Sequence, residues 1–198
     1  MIQNNGKHTS YLRYPKRWRE LDPQLFDTLK NIYESDRSVD AVAKSGALDA
    51  IFSSNVLNHG KEHHSARNTL RAEWFETVLH ELSGCDLVFA DPDNGLIDDN
   101  PKRRNKLKFG KQMPLGEVLA FAQDRTAIVY HHNSRYPGGH ELEIRHWFEK
   151  LGTGTIAIRA NAYSCRTFFI LNPSNQIERR AEDFAARWAE HRVSLFRH

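Results

Sequence analysis

Apolar residues recur at helical spacing in Leu70, Trp74, Phe75, Val78, Leu79 and Leu82, which predicts an amphipathic helix stopping at Ser83-Gly84. A short apolar run follows at once, Leu87-Val88-Phe89-Ala90, bounded by breakers. Such a run suits a strand buried on both faces. Pro92 cannot donate to a ladder, so that strand should stop at Asp91. Pro114 then opens a helix with Leu115, Val118, Leu119 and Ala122 inward, and Ala127-Ile128-Val129-Tyr130 reads as a second buried strand. Ile144, Trp147, Phe148 and Leu151 line one face of a further helix. After Gly152 the runs 155–159 and 166–171 read as an antiparallel strand pair. Asn172-Pro173-Ser174-Asn175 caps a final helix with Ile177, Ala181, Phe184 and Trp188 inward. This order of elements from residue 69 predicts a mostly parallel sheet with one antiparallel edge.

The pattern before residue 69 is weaker. Asp22-Pro23 is a good helix start, and Leu25, Phe26, Leu29, Ile32 and Tyr33 follow at helical spacing. A short helix over 37–44 is closed by Ser45-Gly46, and Ala50-Ile51-Phe52 is a strand candidate. His59, His63 and His64 have no Cys partners and no helical ligand spacing, so they read as loop histidines. Residues 1–20 form a basic, aromatic arm with Tyr11, Arg13, Tyr14, Lys16, Arg17, Trp18 and Arg19. The expected organisation is this arm, 1–20, and one α/β domain, 21–198.

Composition adds bounds. The 198 residues suffice for one domain with a real core, and 39% hydrophobic against 27% charged residues indicates a polar surface. No apolar run approaches the roughly 20 residues of a membrane span, so no membrane partner is expected. The amino terminus has no signal-peptide core, and Cys85 and Cys165 read as reduced core thiols. A cytoplasmic location is the expectation. The net charge of +3 is mild, but Lys102, Arg103, Arg104, Lys106, Lys108 and Lys111 crowd one loop, with Phe109 as a stacking group. Such a cluster attracts phosphates.

That loop follows 86–95, Asp-Leu-Val-Phe-Ala-Asp-Pro-Asp-Asn-Gly, where two carboxylates and an amide stand at a predicted strand's carboxyl end. Open α/β sheets hold ligands there. Asp91-Pro92 matches the first half of the Asp/Asn-Pro-Pro-Tyr/Phe motif of amino-methyltransferases, and Asp93-Asn94 departs from the second half. The run 166–173 is similar to the end of the ribosomal-RNA adenine-N6 methyltransferases of bacteria, where an apolar strand leads into Asn-Pro. The combination also resembles a family of uncharacterised bacterial and phage proteins bearing Asp-Pro-Asp-Asn-Gly. The resemblance implies a Rossmann-like α/β fold, mostly parallel, with helices on both faces and a C-terminal antiparallel strand pair. Residues 1–68 supply no glycine-rich turn, so the first strand-helix-strand unit of that fold is not expected. It implies a methyltransferase-like protein that uses S-adenosylmethionine and acts on an adenine-type amine in nucleic acid. Asp91, Pro92, Asp93 and Asn94 would be catalytic, with Asp91 and the Pro92 carbonyl orienting the amine. Tyr130 would stand in for the missing aromatic.

Two other chemistries stay open. Tyr130-His131-His132-Asn133-Ser134-Arg135 ends the next predicted strand, so Asp91, Asp93 and His131 could hold Mg²⁺ or Mn²⁺ for phosphodiester hydrolysis. Adjacent residues on a strand face opposite ways, which separates His131 from His132. The third reading is a non-catalytic nucleic-acid or protein-binding module. In each nucleic-acid reading Tyr130, His131, Arg135, Arg103, Arg104, Lys106 and Lys108 contact the substrate. The oligomeric state is open.

Overall fold

The computed structural model describes residues 7–161 and 165–198. The chain divides into two compact units, Met1–Phe52 and Ser53–His198. In the first, the 3₁₀ turns Lys7–Arg13 and Arg19–Leu21 flank α1 (Pro15–Trp18), and α2 (Pro23–Ser35) and α3 (Val39–Lys44) follow. Asp22 caps α2 by accepting from the Leu25 N–H at 3.0 Å, with Pro23 in the first turn. Leu12, Trp18 and Phe26 are buried, and Tyr11 packs edge-on against Phe26. Two of the arm's aromatic residues, Tyr11 and Trp18, thus serve a small core, while Tyr14 is exposed. The strand expected at Ala50-Ile51-Phe52 does not form. It has no ladder partner among the described residues, and Ile51 and Phe52 are exposed.

In the second unit α4 (Arg67–Glu81), β1 (Leu87–Ala90), β2 (Leu96–Ile97), β3 (Met113–Pro114), α5 (Leu115–Phe121), β4 (Thr126–His132), α6 (His140–Leu151), β5 (Ile156–Ala160), β6 (Arg166–Leu171), α7 (Asn175–Arg187) and β7 (Val193–Arg197) follow in order. A five-stranded sheet runs β1-β4-β6-β5-β7, and β2 and β3 form a small parallel pair. The expectation of a Rossmann-like, mostly parallel sheet is overturned. In the five-stranded sheet only β1 and β4 are parallel, and the three other pairings are antiparallel. The reason is connection length. β1 reaches β4 through α5, and a parallel pair needs such a crossover. Only residues 161–165 join β5 to β6, too few for a crossover, so β6 returns antiparallel and inserts between β4 and β5. β7 adds a strand beyond the expected pair and runs antiparallel to β5.

Alternation on the strands divides the sheet into two faces. Val88, Ala127, Val129, Ala157, Phe169 and Leu171 point to the face covered by Phe75 and Val78 of α4, Val118 and Phe121 of α5, and Ile144, Trp147 and Phe148 of α6. On the other face Ile156 and Ile170 pack with Ala181 of α7, and Ile128, Ile158, Ile177 and Leu195 add to that cluster. α7 packs chiefly over β7 and β5, away from β1. β1 is therefore buried on one face, not both: Val88 is 4% exposed, while Leu87 is 41% and Phe89 55% exposed. Among the described residues no helix is long and apolar enough to cross a membrane.

Candidate functional site

β1 ends at Ala90, and Pro92–Gly95 closes a turn in which the Gly95 N–H donates to the Pro92 carbonyl at 2.9 Å. The Asn94 N–H donates to the Lys111 carbonyl, and the Met113 N–H to the Gly95 carbonyl. The turn is thereby tied to the far end of the basic loop. Gly95 has φ +73°, and a Cβ there would lie 2.5 Å from His131 Nδ1 and 2.8 Å from the His131 Cα and the His132 N. Conformation and space both demand glycine.

His131 faces inward and is buried. The Leu96 N–H donates to its Nδ1 at 3.0 Å, so that nitrogen carries no proton. The proton of the neutral ring then sits on Nε2, which donates to Glu143 Oε1 at 3.2 Å. Glu143, 2% exposed on α6, also accepts from Asn133 Nδ2, the Ser134 N–H and Ser134 Oγ. Burial pushes its pKa up, but hydrogen bonds from His131, Ser134 and Asn133 outweigh burial and hold it at about 2. Asn133 Oδ1 accepts from Thr167 Oγ1 at 2.7 Å and from the Cys165 thiol at 3.4 Å. Cys165 also meets His140 Nδ1. Burial pushes the Cys165 thiol up and Arg159 draws it down, with Glu143 adding to the rise, so the fold favours the thiol over the thiolate. Both cysteines are free of disulfides.

The neighbouring residues of β4 face the other way. Tyr130 stands opposite Phe168, with ring centroids 5.7 Å apart, and His132 stands opposite Arg166. Tyr130 Oη and His132 Nδ1 are 3.2 Å apart. Ala90 is level with Val129, so Asp91 runs level with Tyr130. Partial burial at the strand end pushes the Asp91 carboxyl above its ordinary value; Arg166 draws it down and Asp93 pushes it up. Burial likewise raises Tyr130, with Arg166 opposing and Asp91 and Asp93 adding. Asp91, Tyr130, His132, Phe168 and Arg166 thus share one open corner of the sheet. Asp93 is exposed and pairs with Lys111 at 2.7 Å, and Asn94 is exposed beside it.

The basic loop is anchored. Arg71, 5% exposed, donates to the Phe109 and Gln112 carbonyls at 2.8 and 2.7 Å and forks onto Glu117. Phe109 lies buried beneath the Arg71 guanidinium, so it is not available to stack on a base. His59 lies in a loop as expected, but it is not solvated. It is buried, its Nε2 is 3.1 Å from the Lys106 carbonyl, and Gly110 packs against its ring. Lys102, Arg103, Lys106, Lys108 and Lys111 are exposed, and Arg104 is half-buried. Arg135 is exposed in the loop after β4. Asp91, Tyr130 and the Lys111-paired Asp93 come together; His131 lies on the covered face and meets the motif only at Gly95.

Neither implied group fits these residues. Both ring nitrogens of His131 are engaged inside the protein, and Arg166 and Lys111 already oppose the charges of Asp91 and Asp93. Among the described residues no cluster of three or more His, Cys, Asp or Glu is arranged to hold a metal ion. Among the described residues no strand precedes β1, so they hold no glycine-rich strand end to approach S-adenosylmethionine. Glu143 and Arg71 escape a search for motifs. Their signal is a charge on an apolar helical stripe: Glu143 precedes Trp147 and Leu151 at four-residue steps, and Arg71 precedes Phe75 by four. Comparison of the chain with protein-family models, curated proteins and solved structures finds no match.

Proposed function

We propose that the protein binds unpaired nucleic acid and receives an amine-bearing base at the open corner of β1 and β4. The observation that carries this reading is the juxtaposition of the accessible Asp91 carboxylate with the Tyr130–Phe168 ring pair on one sheet face. A carboxylate accepts from the exocyclic amine of cytosine or adenine, and it repels the bare carbonyl of thymine. An aromatic ring offers a stacking surface to any base. Arg166 stands beside them, and Lys111, tied to Asp93, leads into the exposed cations of the 102–111 loop, which suit the phosphates. The buried Arg71 supports the reading by holding that loop in one shape before any ligand arrives.

The test is fluorescence anisotropy with single-stranded oligonucleotides of adenine, cytosine or thymine at low salt. Adenine and cytosine strands are expected to bind more tightly than thymine. Tyr130→Ala should weaken binding by roughly 5- to 100-fold, the worth of one stacked base. Affinity should fall steeply with salt and be the same in EDTA. Absence of binding, or binding equal for the three strands and indifferent to Tyr130→Ala, defeats the proposal.

A further inference from the structure

β1 is the outermost strand on its side of the sheet and pairs only with β4 among the described residues. The Thr126 N–H donates to the Asp86 carbonyl, so Asp86 and Val88 direct their backbone groups toward β4. In a parallel strand the N–H and C=O of one residue point the same way and alternate along the chain. The N–H and C=O of Leu87 and of Phe89 therefore point outward. The same two residues carry the exposed apolar side chains. An unpaired edge with exposed apolar residues is a surface that proteins ordinarily blunt with a lysine, a proline or a bulge. None of these interrupts Leu87–Ala90.

We infer that β1 is a docking edge for an extended segment of another polypeptide, apolar at alternate positions and basic at both ends. The edge supplies hydrogen bonds at Leu87 and Phe89, and their side chains supply the apolar contact. Charge selects the occupant. Asp86 stands at one end of the edge and Asp91 at the other, while Asp93 is already paired with Lys111. Lysine or arginine flanking the incoming strand meets carboxylates at both ends. Antiparallel pairing of two copies through Leu87 and Phe89 instead sets Asp86 opposite the partner copy's Ala90 and gathers Asp86 and the partner copy's Asp91 at the same end, where like charges meet.

The inference shares Asp91 with the base-binding corner but rests on the free edge of β1, and it is tested without nucleic acid. The probe is a labelled peptide of about seven residues, alternating valine and threonine, with lysine at both ends; its control ends in glutamate. The lysine peptide is expected to bind at least about tenfold more tightly than the control. Amide exchange read by NMR should be fast at Leu87 and Phe89 in the free protein and slow at least about tenfold with the lysine peptide. Leu87→Lys places a charge on an exposed position and should abolish binding while the circular dichroism spectrum stays unchanged; Val56→Lys, at another exposed apolar position, should leave it intact. Equal affinity for the two peptides, no protection at Leu87 and Phe89, or protection that depends on protein concentration alone overturns the inference. The last result would identify a second copy as the occupant.

Discussion

The two faces of β4 meet the same residue types and use them differently. On the covered face His131 is held between the Leu96 N–H and Glu143, and Glu143 closes a circuit with Asn133 and Ser134. On the open face, one residue away in either direction, Tyr130 and His132 stand with Asp91 and Arg166 at the solvent boundary. The first group has its hydrogen-bonding capacity filled from within, and burial makes every one of those bonds costly to lose. The second leaves a carboxylate and two rings accessible. A buried histidine-carboxylate pair is thus no mark of catalysis here. It locks the motif loop onto α6, so that the residues flanking it project from a fixed frame.

If that division is right, the largest stability loss comes from Glu143. Glu143→Ala leaves the donors of His131, Asn133 and Ser134 without their acceptor and should cost about 3–5 kcal/mol by urea unfolding. The same carboxyl sets an acid limit. Its ordinary value is 4.5 and its folded value about 2. A depressed carboxylate contributes its full stability above the unfolded value and loses it as pH falls through the folded one. Between about pH 5 and pH 2 the protein should lose about 3 kcal/mol from this group. Glu143→Gln should show a flatter profile there, and identical slopes would remove Glu143 as its source.

How far these faces can be read in advance depends on the range of the interactions. The run 87–90 and the run 166–171 show as strands because apolar stretches between breakers are local signals, and the structure has strands at Leu87–Ala90 and Arg166–Leu171. The insertion of β6 between β4 and β5 has no local signal, since a run of apolar residues does not state its neighbour. β7, Val-Ser-Leu-Phe-Arg, is short and ends the chain in basic residues, so it hides behind α7. In the site, Asp91 was conspicuous because a turn alone does not require an acid before proline. Which of Tyr130, His131 and His132 share its face follows from period-two alternation only once the strand is known to run to His132.

Gly95 offers the next test, because it joins the motif turn to the covered face. Gly95→Ala places a side chain in the left-handed region and drives its Cβ against the His131 ring and the backbone of His131 and His132. The expected cost is about 3 kcal/mol. Gly46 separates the two effects: it has φ +68° with nothing within 4 Å, so Gly46→Ala should cost only about 1 kcal/mol. Equal costs at the two glycines would mean that the close approach to His131 contributes nothing.

Asp91 should give the smallest change in stability and a clear change in binding. The carboxyl is accessible and its pKa is raised, so the fold disfavours the charged form relative to the unfolded chain. Asp91→Asn should therefore be neutral or slightly stabilising above the ordinary carboxylate range, within about 0.5 kcal/mol. An amide oxygen still accepts from an amine, but without the charge, so the preference for adenine and cytosine over thymine should shrink about fivefold. In the unaltered protein that preference should fade on acidification at a pH above the ordinary aspartate value, because the raised carboxyl takes up its proton early. In Asp91→Asn the remaining preference should not respond to pH in that range. A variant that unfolds as readily as Glu143→Ala, or whose base preference still titrates, would place Asp91 with the structural face and return the open corner to an acidic turn.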